Sequence, residues 1–374
     1  MVTLSQIENI DYIKEFQRNL RKKNYNHSTE ILEQAAKFYK NIITYFSRND
    51  IIKTQNELIS IIRELGKSFI NIDPLQFSIG NITKRILHCI REEFKNKKES
   101  SKEDLEFDEN ILTEKYKNST TRLSTNKISK ILDKEDKYNL PITQDNWNNI
   151  LISLKEIIEE IEISREELQL QSLVDEYIND GDIILTANYS EQLVDCFIEC
   201  HKQNKKKFKV FVTESAPSLN GIKSAKKLKE CGINATVIDD SALFSIIQQI
   251  TKVFIGTRAI MMNGGLISYN GVYNVCLCAK KFCIPVIVIG GTFKLTPNFC
   301  FGHEIFNEYS SPDYILGKDV KYEGDINNII FNTPEYDYVP PELITVYLTD
   351  NGIQNPVYIY RLFSELYSKE DYVI

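Results

Sequence analysis

Apolar residues recur along the first half of the chain at the three- and four-residue spacing of a helix face. Leu58, Ile61, Leu65 and Phe69 form one stripe; Ile79, Ile82, Ile86, Ile90 and Phe94 form another, after a start at Asp73-Pro74. Each stripe leaves one face to bury, so the pattern predicts helices that pack on one another. From about Lys95 to Pro141 the chain turns charged and polar, with "KNKKESSKEDLEFDEN" and "KNSTTRLSTNKISK", which reads as a solvated linker or an insertion. Helical periodicity resumes at Trp147, Leu151, Leu154, Ile158 and Ile161 and runs toward Tyr177, delivering the chain to a turn at Asp180-Gly181.

Beyond Gly181 the pattern changes to short β-rich runs, "DIILTA", "KVFVTE", "ATVID", "KVFIG" and "PVIVIGG", separated by segments of helical length. That alternation predicts a mainly parallel sheet covered by helices on both faces. The fold class expected is α/β, with an N-terminal helical domain over residues 1–175 and a Rossmann-like domain over 176–374. Such sheets bind ligands at the carboxyl ends of their strands. Here those ends are Asn188, Ser215 to Gly221, Asp239 to Ser241, Gly256 to Gly265, and Gly290 to Thr292. The stretch "IGTRAIMMNGGLISYNG" reads as a strand running into a glycine-bearing loop, where a phosphate would lie against helix-start amides. "YDYVPPELITVYLTDNG" suggests a further strand after a proline turn, and Asn355-Pro356 opens a final helix.

With 42% hydrophobic and 26% charged residues, the chain can bury a sizeable core. A net charge of -7 argues against coating nucleic acid or an anionic membrane. The N-terminal stretch has no basic-then-apolar signal pattern and no apolar run is long enough to span a bilayer, so a cytoplasmic location is expected. No G-x-G-x-x-G follows the first strand and no P-loop occurs, so a dinucleotide role is unsupported and no cofactor is expected.

The eight cysteines show no C-x-x-C spacing. Cys196 and Cys200 lie one helical turn apart beside His201, which suits two core thiols better than a metal site. The basic run "HKQNKKKFK", His201 to Lys209, falls at a helix end where lysines complement the dipole. Asn188-Tyr189-Ser190 has the spacing of a glycosylation acceptor, which has no meaning off a secretory route.

In order, "ILTANYS", "VTESAPSLNG", "VIDDSALF" and "VFIGTRAIMMNGGLISYNGVYNVCLCAKKFCIPVIVI" resemble the superfamily that unites methylthioribose-1-phosphate isomerases, ribose-1,5-bisphosphate isomerases and the regulatory subunits of eukaryotic translation initiation factor 2B. "LISIIRELGKSFINIDPLQFSIGNITKRILHCIREEF" is similar to the helical domain of the initiation-factor branch, while "GGTFKLTP" and the tyrosine-rich tail resemble its beta-type members. Against the isomerases, the catalytic Cys position is Asn188, which can neither act as a thiolate nor exchange a proton near neutral pH. The catalytic Asp position is Arg258, a cation that stays protonated. Substrate-contacting Arg and Gln fall on Ala216 and Asn220, an Asp on Gly265, and an Asn-Lys pair on Ser268 and Tyr269. Pro217, Gly221, Asn263, Gly264 and Gly271 keep the turn-forming residues of the pattern.

The resemblance therefore implies a non-catalytic regulatory subunit of the exchange factor that recycles initiation factor 2 from GDP to GTP and senses phosphorylation of its alpha subunit. It implies a delta subunit as direct partner, with alpha, gamma and epsilon subunits in the same complex. Two alternatives remain from the residues. One is an isomerase using other groups, with Glu214, Asp239 or Asp240 as its acid, although Asp240 could equally cap the helix from Ser241. The other is a ligand-sensing pseudoenzyme in which Arg258 attracts an anion. The tyrosines at 336, 338, 347, 358 and 360 suit either an interface or the domain core.

Overall fold

The computed structural model describes residues 11–22, 28–49, 51–112, 141–166, 168–203, 205–300, 306–311 and 329–372. The chain divides into two compact units, Met1–Glu162 with Leu366–Ile374, and Ile163–Glu365.

The first unit is built from α1 (Asp11–Arg21), α2 (Ser28–Asn49), α3 (Gln55–Ile70), α4 (Phe77–Leu112) and α5 (Gln144–Glu166). The stripes read from the sequence are its core: Leu58, Leu65, Phe69, Ile79, Ile86 and Ile90 are all buried. Phe16 stacks on Phe38 at 4.7 Å, and Phe69 meets Phe38 edge-on at 5.2 Å. Thr54 and Glu57 close the start of α3 reciprocally, since Thr54 accepts from the Glu57 amide and Glu57 accepts from the Lys53 amide. A Cβ on Gly66 would fall 2.5 Å from the Thr83 methyl, so glycine lets α3 and α4 close up. The charged segment expected as a linker from Lys95 is helical as far as Leu112, because its Glu, Lys and Ser residues extend a helix already nucleated by the buried stripe. Residues 113–140 lie outside the described residues.

The second unit carries a seven-stranded sheet in the order β11-β10-β7-β4-β1-β2-β3. Its strands are β1 (Ile183–Thr186), β2 (Lys209–Thr213), β3 (Asn234–Ile238), β4 (Lys252–Gly256), β7 (Val286–Ile289), β10 (Val346–Thr349) and β11 (Gly352–Gln354). All pairings are parallel except β10 with β11. The five runs read as strands and the one after the proline turn are all present. Helices α7 (Glu191–Gln203), α8 (Asn220–Glu230), the short α9 (Leu243–Ile246) and α10 (Val272–Lys281) alternate with the strands. The core of this unit joins Ile184, Phe197, Val210, Phe254 and Ile287 with Leu170 and Val174 of α6 (Leu168–Tyr177). The chain thus divides at Glu162/Ile163 where a boundary at 175/176 is expected, and Leu366–Ile374 group with the helices.

"AIMMNGGLISY" is not a loop. Ala259–Met261 (β5) and Leu266–Tyr269 (β6) pair antiparallel in a second sheet, β8-β5-β6-β9, with β8 at Leu295–Thr296 and β9 at Tyr336–Val339. The hairpin turns at Gly264, whose φ of +81° favours glycine. The final helix opens as expected, with Asn355 accepting from the Val357 amide ahead of α11 (Ile359–Leu366).

Candidate functional site

The chain builds β1, then β2 and β3 to one side, and returns to place β4, β7 and β10 on the other. The change of direction lies between β1 and β4, the position where parallel sheets form a crevice at their carboxyl ends. Most of the residues singled out from the sequence gather along this edge and the adjoining hairpin.

Asn188 follows β1 with a left-handed backbone, φ +60°. Its amide donates to Ser215 Oγ at 2.9 Å, its carbonyl accepts from Ser224 Oγ at 2.8 Å, and its Nδ2 donates to the Asn270 carbonyl at 3.3 Å. Buried and engaged at three points, it ties the β1 and β2 loops together. The β2 loop runs through a cis Ala216-Pro217 bond into Asn220, the first residue of α8. A Cβ on Gly221 would lie 1.7 Å from the Thr213 carbonyl oxygen.

Asp240 caps no helix of its own. Its two carboxylate oxygens accept from the amides of Ser215 at 3.0 Å and Ala216 at 2.8 Å, so it holds the β2 loop. Asp337 of β9 does the same at the start of α10, accepting from Gly271 N at 2.8 Å and Tyr273 N at 3.1 Å through one oxygen. Asp350, after β10, accepts from the Thr292 amide at 2.8 Å and its hydroxyl at 2.9 Å. Three carboxylates of the chain thus occupy loop and helix-start amides, donors of the kind that can bind anions.

Arg258 donates its amide to the Ile267 carbonyl and lays its guanidinium 4.7 Å from the ring centre of Tyr336. Tyr336 in turn packs against Tyr269 at 5.6 Å, and its phenol is pushed up by burial. Asn263 donates to the Tyr338 hydroxyl at 2.7 Å and accepts from the Gly265 amide at 3.0 Å. The Gly264 carbonyl accepts from the Tyr347 hydroxyl, and Ser268 Oγ donates to the Gly256 carbonyl. A Cβ at Gly265 would sit 2.7 Å from the Tyr338 oxygen. These positions pin the hairpin to tyrosines.

Sequence reasoning missed Asp337, Asp350 and the buried Lys294, whose Nζ donates to Gln192 Oε1 at 3.0 Å. Asp337 is hard to single out because four residues, "YDYV", carry the whole strand, and their alternation is the available signal. Of the tail tyrosines, Tyr336 and Tyr347 are buried while Tyr358 and Tyr360 are exposed.

Cys196 and Cys200 belong to the core of the sheet unit, and burial pushes Cys200 up to about 12. His201 Nδ1 lies 3.0 Å from the Lys206 carbonyl, to which it donates. Among the described residues no group of three His, Cys, Asp or Glu could hold a metal ion, and no helix is long and apolar enough to cross a membrane. In the basic run, Lys206 pairs with Asp175 at 2.9 Å.

The Initiation factor 2 subunit family matches residues 28–356. Translation initiation factor eIF2B subunit beta of Dictyostelium discoideum is 33% identical over 337 residues, 84% of this chain and 85% of the relative. Among solved structures, the tetrameric eIF2B-beta2-delta2 complex from C. thermophilum aligns with a TM-score of 0.63 at 18% identity, over 95% of this chain and 94% of that one. The 5-methylthioribose 1-phosphate isomerase of Pyrococcus horikoshii aligns at 0.56 and 17%, over 95% and 87%. These two likenesses establish the fold.

Proposed function

Because this chain belongs to the Initiation factor 2 subunit family, we propose that it serves as a beta-type, non-catalytic regulatory subunit of the cytoplasmic exchange factor that returns initiation factor 2 from GDP to GTP. Its direct partner in this reading is a delta subunit, as in the beta-delta tetramer that its fold matches. Alpha, gamma and epsilon subunits complete the complex, and the chain helps it sense phosphorylation of the alpha subunit of initiation factor 2.

One observation carries the non-catalytic part. At strand ends and at the helix start where a phosphate is expected from the sequence, the chain's own Asp240, Asp337 and Asp350 occupy amide donors. Asn188 stands at the expected nucleophile position with no acid-base capacity, and Arg258 is stacked on Tyr336. Activity then resides in surfaces and geometry. Fold alone would have permitted the isomerase reading; the site argues against it.

The test is the native mass of what co-purifies with the tagged chain at its natural level, with GDP release from initiation factor 2 assayed on the same sample. A large assembly that speeds release is expected. A free homodimer without effect on release, or turnover of methylthioribose 1-phosphate by the purified chain, would overturn the reading.

A further inference from the structure

Beyond α11 the chain returns to the helical unit, and Leu366–Ile374 count as part of it. The returning segment brings one aromatic anchor, Tyr367, which is 3% exposed. It then makes a single 3-10 turn, Lys369–Asp371. At the end of that turn Asp371 is fully buried.

The socket around Asp371 is cationic. Arg63 of α3 donates to its Oδ1 at 2.5 Å. Arg91 of α4 donates Nε to Oδ2 at 2.7 Å and Nη2 to Oδ1 at 3.1 Å, a two-pronged pair. Lys84 of α4, also buried, feels the same carboxylate. Glu370 adds a second, half-exposed contact to Arg91 Nη1, and His88 meets Ser368 Oγ at 2.9 Å. Beside the Tyr367 anchor, the segment is held by these ion pairs and hydrogen bonds.

We propose that residues 366–372 form a detachable strap, pinned by Asp371 between Arg63 and Arg91, that opens without unfolding the helices beneath it. The physical reason is the mismatch between the two parts. Helices α3 and α4 are knit by a continuous apolar core. The strap is pinned chiefly by one carboxylate, whose loss removes the ion pair of Arg63 and leaves Arg91 with the half-exposed Glu370.

Hydrogen exchange on the full chain tests this. In the unmutated protein, amides of 366–372 should exchange through an opening of their own, at least tenfold faster than the core amides of α3 and α4. Asp371→Asn and Arg91→Gln should each speed exchange in the strap at least a further tenfold while leaving α3, α4 and the fluorescence of Trp147, the sole tryptophan, unchanged. Glu370→Gln should have a smaller effect. Equal rates for strap and core in the unmutated protein would overturn the proposal, as would strap exchange that neither variant alters. Loss of protection throughout α3 and α4 in both variants would also overturn it, because Asp371 would then be an ordinary part of the core.

Discussion

The carboxylate of Asp337 lies 2.8 Å from the amide nitrogen of Gly271, at the point where α10 begins. The same oxygen reaches the Tyr273 amide, so a residue of β9, far along the chain, caps a helix that starts beside β6. Sequence reasoning places a phosphate at just such a helix start. The chain supplies its own anion instead.

Asp337→Ala should therefore do two things. Losing a cap to two amides costs about 1–2 kcal/mol, read as a lower Tm. It should also create an anion site: inorganic phosphate should raise the Tm of the variant more than that of the unmutated chain. Equal phosphate responses would show that those amides are not available even when the carboxylate is gone.

Gly221 tests the β2 loop. With Thr213 O only 1.7 Å from the place a Cβ would occupy, Gly221→Ala must push backbone against backbone, and no rotamer relieves it. A loss of roughly 3 kcal/mol is expected, with a fall in Tm of about 10 °C. Gly271→Ala is a useful contrast, since nothing lies within 4 Å of its added methyl and only its φ of +95° opposes the change. That variant should cost less, about 1 kcal/mol.

These positions show what the sequence could and could not reveal. The parallel strands were legible because they are buried on both faces and stand out as continuous apolar runs. Helices α3 and α4 were legible from their stripes. The β5–β6 hairpin was not, because three- and four-residue strands around Gly264-Gly265 carry too few alternations to separate from a loop. The candidate positions were found in sequence order, but their roles depend on distant partners. Asp240 grips Ser215 and Ala216, and Asn188 grips Ser215, Ser224 and Asn270. Periodicity has no information on pairings of this kind, nor on the return of Asp371 to Arg63 and Arg91.

Lys84 gives the helical unit a distinctive pH response. Burial pushes its ammonium down to about 8, against a smaller upward pull from Asp371. In the unfolded chain a lysine titrates near 10.4. Between those values the unfolded state holds a proton that the folded state has released, so this group makes folding more favourable as pH rises. Half-buried Cys89, pushed up to about 11, works in the opposite direction once unfolded thiols begin to ionise. The comparison must therefore be differential. Urea unfolding followed by Trp147 fluorescence should show the unmutated chain gaining on Lys84→Met between pH 7 and pH 10, by at most about 3 kcal/mol. A constant gap would show that Lys84 is not desolvated.

The last prediction concerns the surface that would carry the proposed regulatory role. Tyr336 and Tyr347 are consumed inside the sheet unit, but the turn after β11 and the start of α11 leave Val357 81%, Tyr358 65% and Tyr360 53% exposed. Ile353 of the edge strand is 47% exposed, which extends the same stretch of chain. Exposed aromatic and aliphatic side chains of this kind form the centres of interfaces, where single anchors contribute about 2 kcal/mol or more. As surface positions, they contribute within about 0.5 kcal/mol to the fold itself. Val357→Asp combined with Tyr358→Glu should thus leave the Tm of the isolated chain within about 2 °C and cut co-purification of a delta subunit at least tenfold. Stimulation of GDP release should fall in parallel. If the complex survives the double substitution intact, the partner binds elsewhere on the sheet unit. If the variant loses both Tm and partner, these side chains pack into the fold more firmly than their exposure indicates.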